Sequence, residues 1–285
     1  MVQLSCIRAG FYLRHGIRAI IRLRPTASPG NDRSRSVDGS SPILSQTLNV
    51  AGSFSSQIRQ FSGKMPRPIV YHTDGSPPSR AVRLTAAAIG LDIDARNVDL
   101  LAGEHRTKEF LKLNPQHTVP TLDDNGFAVW DSHAIMCYLV DKYAKDDTLY
   151  PKDLRRRTQL NQYLYFEAGV LFPRLRFIVF PVFMRKTTEV SAEKMQLLEE
   201  AYGHLEKFLE GKQWLVGDSY TIADISCVST ISSIMCVHPI DNFPNVKAWL
   251  KRCEDNLPGY AEVNTPGCTM FHKAVTALIT SKGKL

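Results

Sequence analysis

The stretch Asn114-Pro115-Gln116-His117-Thr118-Val119-Pro120-Thr121-Leu122, followed nine residues after its last leucine by Asp131-Ser132-His133-Ala134-Ile135, decides how the chain folds from residue 65 onward. Residues 119–122 read as a strand, Asp124-Asn125-Gly126 as a tight turn and 128–130 as the returning strand. Apolar residues then recur at helical spacing over 132–143. Upstream, 68–72 reads as a strand, 77–89 as a helix, 96–100 as a strand and 108–112 as a short helix. The order is βαβαββα. A strand, helix, strand start calls for a right-handed crossover, and the later hairpin adds an antiparallel pair, so the expectation is a small mixed sheet covered by helices.

Beyond residue 145 the pattern changes. Residues 146–152 are polar, end in Tyr150-Pro151-Lys152 and read as a linker between an α/β part (65–145) and an all-α part (153–285). Helical periods follow at 154–185, 192–209, 222–237, 246–256 and 268–280, with Pro173 and Pro181 expected to kink the first. Thr221-Ile222-Ala223-Asp224 has the form of a capping box and reads as structural.

Charge is unevenly distributed. Residues 1–64 carry eight Arg and one Lys against two Asp, which accounts for the whole formal net charge of +7 in this 285-residue chain. The neutral remainder argues against a nucleic-acid partner, and no run of about eighteen apolar residues argues for a membrane span. Within 1–64, Leu4, Ile7, Phe11, Ile17 and Ile21 share an apolar helical side while Arg14, Arg18 and Arg22 recur every fourth residue. An Arg-rich, Ser-rich, acid-poor amphipathic stretch is presequence-like, and Arg59-Gln60-Phe61-Ser62 resembles a matrix-processing boundary. Two localisations stay open: mitochondrial matrix if 1–64 is translated as a presequence, cytosol if translation starts at Met65. The six cysteines show neither a C-x-x-C pair nor metal-ligand spacing, which fits free thiols in a reducing compartment.

The βαβαββα order satisfies a thioredoxin-like fold. Redox members of that fold open the first helix with C-x-x-C; here Ser76-Pro77-Pro78-Ser79 stands there, which excludes dithiol exchange at that position. What remains is a hydroxyl at a helix N-terminus, either a plain cap or a hydrogen-bond donor to a bound group.

Taken together, the NPQHTVPTL run, the DSHAI turn, the Ser76-Pro77-Pro78-Ser79-Arg80-Ala81 segment and, downstream, Val216-Gly217, Thr221 to Asp224 and Phe243-Pro244-Asn245-Val246-Lys247-Ala248-Trp249 resemble the cytosolic glutathione transferases, specifically the insect epsilon class, over roughly 65–282. The resemblance implies reduced glutathione as co-substrate, no metal, a thioredoxin-like glutathione-binding domain followed by a helical substrate-binding domain, and a homodimer. It makes Ser76 the catalytic donor to the glutathione sulfur. A free thiol titrates near about 8.5, so lowering it by about two units, worth roughly 2.7 kcal/mol, makes most of it reactive. It assigns Asp131 to the ammonium of glutathione, Ser132 to the neighbouring carboxylate, Val119 and a cis Pro120 to the cysteinyl backbone, and His105 and His117 to the glycyl end. His133 and Arg176 complete the implied glutathione set, while Phe172, Leu175, Val179 and Phe183 are implied to line a hydrophobic pocket for electrophilic small molecules. The implied reaction is thioether formation or halide elimination, as in xenobiotic and insecticide detoxification. A non-catalytic binder of apolar ligands, or peroxidase or isomerase chemistry on the same thiolate, is the alternative.

Overall fold

The computed structural model describes residues 66–280; the presequence-like stretch 1–64, with Cys6, lies outside the described residues. Strand β1 (Ile69–His72) leads through helix α1 (Pro77–Ala88) to β2 (Asp94–Asn97), which pairs parallel to β1. A 3-10 turn (Glu104–Arg106) and α2 (Lys108–Leu113) precede β3 (Thr121–Asp124) and β4 (Phe127–Trp130), and α3 (Ser132–Tyr143) closes this half. The sheet order is β2-β1-β3-β4, with β3 antiparallel to both neighbours. This is the expected thioredoxin-like α/β half.

The bounds of β2 and β3 move by two or three residues, for local reasons. β3 starts at Thr121 rather than 119, because Pro120 has no N–H to give a ladder. β2 is a polar edge strand, Asp-Ala-Arg-Asn, and ends before 98–100, where the Asp99 carboxylate accepts the amides of Leu101 (2.8 Å) and Ala102 (2.9 Å) in a turn. The hairpin turn forms as read, Asn125 (φ 55°) and Gly126 (φ 91°) both adopting the positive φ that a tight hairpin requires.

The helical half comprises α4 (Leu154–Phe166), α5 (Phe172–Phe183), α6 (Ala192–Phe208), α7 (Ile222–Ile234), α8 (Pro244–Asn256) and α9 (Thr265–Thr280). Every residue of α7 is buried, and its capping box is present: Asp224 accepts from the Thr221 amide (2.9 Å), the Leu215 amide (3.0 Å) and Trp249 Nε1 (2.9 Å). Both halves belong to one unit, 64–285, whose shared core includes Leu84, Ile135, Leu171, Val228 and Trp249.

The expected single helix over 154–185 is corrected. It is broken by a π turn (Glu167–Leu171), where the Phe172 amide donates to Glu167 O, five residues back. Pro173 sits in the first turn of α5, where a missing N–H costs little. Pro181, by contrast, does not end the helix. The carbonyl it leaves without a partner, Phe177 O, accepts from Lys194 Nζ at 3.1 Å. A second π turn (Tyr260–Asn264) precedes α9, opening after Pro258 and Gly259, the latter at φ 78°.

Candidate active site

A cleft of about 550 Å3 opens between the sheet half and α5. Another hollow, about 490 Å3 beside Lys145 and Tyr220, holds none of the residues singled out from the sequence.

On the sheet side the cleft is built largely from backbone turns. Ser76 is the N-cap of α1, with Pro77 starting the helix, and its Oγ accepts the Ser79 amide at 3.3 Å. That bond leaves the hydroxyl hydrogen without an acceptor among the described residues. The Val119-Pro120 bond is cis, as expected. The loop leading to it is tied by buried Asn114, whose Nδ2 donates to Thr118 O (3.1 Å) and Thr121 Oγ1 (2.8 Å) and whose Oδ1 accepts the Gln116 amide (2.9 Å). The polar residues of the opening motif are thus mostly braces for the loop. His117 adopts φ 47°, and its ring lies 5.9 Å from that of His105. Burial, then the neighbouring Arg106 and His117, lower the His105 pKa, and neutral His105 accepts from Arg106 Nε at 3.3 Å.

Asp131 caps α3 from a positive φ of 74°, its Oδ1 accepting the amides of His133 (2.9 Å) and Ala134 (3.1 Å). Bonding to His133 is the largest influence holding its carboxyl below the usual range. Its Oδ2 and the Ser132 amide have no hydrogen-bond partner among the described residues. Behind them, His133 Nε2 lies 2.9 Å from Glu167 Oε2 and 2.9 Å from Ser226 Oγ, while its Nδ1 is 3.6 Å from Asp131 Oδ1. Burial alone would lower the His133 pKa; the two carboxylates override it and raise it to about 9. Glu167 is itself buried and accepts from Thr230 Oγ1 at 2.6 Å.

The opposite wall is a side-chain stripe on α5. Phe172, Arg176 and Phe180 face the cleft at four-residue spacing, the Arg176 guanidinium lying 4.9 Å from the centroid of the Phe180 ring. Of the expected pocket residues, Phe172 lines the cleft and the other three do not. Leu175 and Val179 are core residues; each precedes a cleft residue by one position, which is about 100° around the helix. Phe183 packs edge-on against Phe271, with centroids 5.8 Å apart. Sequence reading missed Phe180, although it lies four residues beyond Arg176, and it missed Glu167, a lone acid between Phe166 and Ala168. Among the described residues no group of three or more His, Cys, Asp or Glu is placed to hold a metal ion.

Known proteins resemble this chain in sequence and fold. Residues 75–142 match the family described as glutathione S-transferase, N-terminal domain, and residues 171–256 match glutathione S-transferase, C-terminal domain. Glutathione S-transferase 1 of Manduca sexta is 44% identical over 202 residues, covering 70% of this chain and 92% of the relative. An epsilon-class glutathione S-transferase of the housefly, Musca domestica, is 46% identical, with a TM-score of 0.72 over 74% of this chain and 98% of that one. A glutathione transferase homologue of Drosophila mojavensis, solved with bound glutathione, is 45% identical, with a TM-score of 0.72 over 74% of this chain and 97% of that one. With both halves matched in order and relatives of this identity covered almost end to end, the chain belongs to the glutathione S-transferase family.

Proposed function

We propose that this transferase seats glutathione across the N-termini of α1 and α3 and delivers its thiolate to a hydrophobic electrophile lying against Phe172, Arg176 and Phe180. The observation that carries this reading is the Ser76 hydroxyl: it accepts the Ser79 amide, so its own hydrogen is directed elsewhere, at the positive end of α1. Donated to sulfur, that hydrogen favours the anion, and the thiol proton leaves to solvent. Sulfur then bonds to the electrophilic carbon while the leaving group departs with its electron pair. Asp131 Oδ2 suits the ammonium of the γ-glutamyl end. Ser132, with the amide that opens α3, suits the adjacent carboxylate. Val119 and Pro120 would pair with the cysteinyl backbone, and His105, His117 and Arg106 frame the glycyl carboxylate. Halide elimination, peroxide reduction and isomerisation draw on the same thiolate and are separated by the electrophile offered.

Conjugation of glutathione to a chloronitrobenzene by the full chain, with glutathione affinity measured in parallel, tests the assignment. Ser76→Ala is expected to bind glutathione yet lose tenfold or more in rate, about 1.4 kcal/mol or more of barrier. Binding without turnover by the wild type on every electrophile offered would replace conjugation with a ligand-holding role.

The family is typically dimeric, and a twofold homodimer is part of this reading, supported by exposed aromatics such as Tyr165 on α4; light scattering on the purified chain checks it. The basic composition of 1–64 supports mitochondrial import, whereas initiation at Met65 gives a cytosolic enzyme; N-terminal sequencing of protein from fractionated cells distinguishes them.

A further inference from the structure

Arg80, one turn into α1, is fully buried. Its guanidinium has five N–H donors, and the structure offers five acceptors, none of them a carboxylate. Nε donates to Asn264 Oδ1 (2.9 Å); one terminal nitrogen donates to Asp74 O (3.3 Å) and Gly75 O (3.1 Å); the other donates to Ser229 O (2.8 Å) and to the Ser233 hydroxyl. Two of these acceptors are the carbonyls immediately before Ser76. The other three lie on α7 and on the second π turn, more than a hundred residues away in sequence. Gly267 at the start of α9 closes the same junction: a Cβ there would lie 2.3 Å from Asp74 O and 2.6 Å from Arg80 Cδ.

A buried cation normally sits beside an anion, because desolvating it otherwise costs several kcal/mol. The charged and titratable groups that face Arg80 are Asp74, Arg83, Tyr260 and Cys268. The Asp74 carboxylate is engaged by Arg83 and by His72, at 3.5 Å from Nδ1. Burial raises the Cys268 thiol and the Tyr260 hydroxyl, so both are neutral at ordinary pH. Burial brings the Arg80 pKa down to about 10, which still leaves it charged at neutral pH.

We infer that Arg80 is a positioning residue for the transferase reaction, fixing the Gly75-Ser76 turn while supplying, without touching glutathione, an unneutralised positive charge that favours the bound thiolate. This rests on the thiolate reading of Ser76. Neutral acceptors satisfy the geometry of the guanidinium and leave its field uncancelled, which distinguishes this site from an ordinary buried salt bridge.

The test separates charge from contact. Asn264→Asp places a carboxylate on Arg80 Nε and keeps the hydrogen bond; Asn264→Ala removes the bond and keeps the charge unpaired. Both lose the donation from Asn264 Nδ2 to Ser232 Oγ (3.1 Å), so that loss cancels between them. The readout is the pKa of enzyme-bound glutathione, from the thiolate absorbance against pH and from the pH profile of kcat/KM. Asn264→Asp is expected to raise it by about one unit, while Asn264→Ala leaves it within about 0.3 units of wild type. Arg80→Gln, which deletes the charge, is expected to raise it at least as far; if that variant does not fold, the Asn264 pair decides alone. Equal values in Asn264→Asp and Asn264→Ala overturn the role of the Arg80 charge. A wild-type enzyme whose bound thiol titrates like free glutathione overturns the Ser76 reading instead, so the two failures are told apart.

Discussion

The two walls of the cleft are made in different ways. On the sheet side, chemistry is presented by places where the backbone stops being regular: the cap of α1 at Ser76, the cis bond before Pro120, the positive φ of Asp131. On the α5 side it is presented by which side chains of one regular helix point inward. Backbone irregularities are dictated by a few residue types in fixed spacing, so the sheet wall tolerates little change in sequence. A helical wall needs only side chains of suitable size at positions 172, 176 and 180. With glutathione and acceptor seated as proposed, the division teaches where the enzyme is free to vary: acceptor preference can drift along α5 without disturbing the thiol site.

Three changes sharpen this contrast. Leu175→Ala, on the core side of α5, is expected to cost about 3 kcal/mol of stability, read as a lower denaturation midpoint, with acceptor preference unchanged. An altered preference at wild-type stability would return Leu175 to the pocket. Next, Glu167→Gln removes the anion opposite His133. Because the His133 pKa is raised, the stability linked to it is fully present below the unfolded value of about 6.5 and lost as pH rises through about 9. The variant is therefore expected to be less stable than wild type by on the order of 2 kcal/mol near pH 6.5, with the gap closing above pH 9. Denaturant melts at both pH values check this; a gap independent of pH would assign the effect to packing. Smallest in stability is Phe180→Ala, expected to cost less than about 0.5 kcal/mol. It should raise KM for an aromatic acceptor by about threefold to tenfold and leave KM for glutathione unchanged. A matching rise for glutathione would merge the two walls into one site.

Legibility in the sequence follows the same division. Helix α3, the hairpin turn and the capping box at Thr221 could be read directly, because caps and turns are set by local chemistry. The sheet-wall residues, from Ser76 to Asp131, converge on one cleft as the motifs implied. What could not be read were the two π turns. The first lies inside helix-forming sequence with no Gly or Pro at its start, the second follows Pro258-Gly259, which signals a break but not a π turn, and each delivers a buried polar group across the molecule, Glu167 to His133 and Asn264 to Arg80. Such partners are fixed by tertiary packing, which periodicity does not encode. The misassignment of Leu175 and Val179 has the same origin: an apolar stripe on α5 is wide enough to serve both the core and the cleft, and the sequence does not say where one ends.

The Arg80 junction also bears on biosynthesis. The Ser76 turn is held from α7, the second π turn and α9, whose contributing residues lie near 229–233, 264 and 267. A ribosome makes the thiol-binding half first, yet the clamp on its key turn is complete only when the last helices have emerged and docked. A chain released before those helices emerge thus carries every sheet-wall residue but lacks the hydrogen bond between Arg80 and Asn264 and the packing of Gly267 that hold the turn before Ser76.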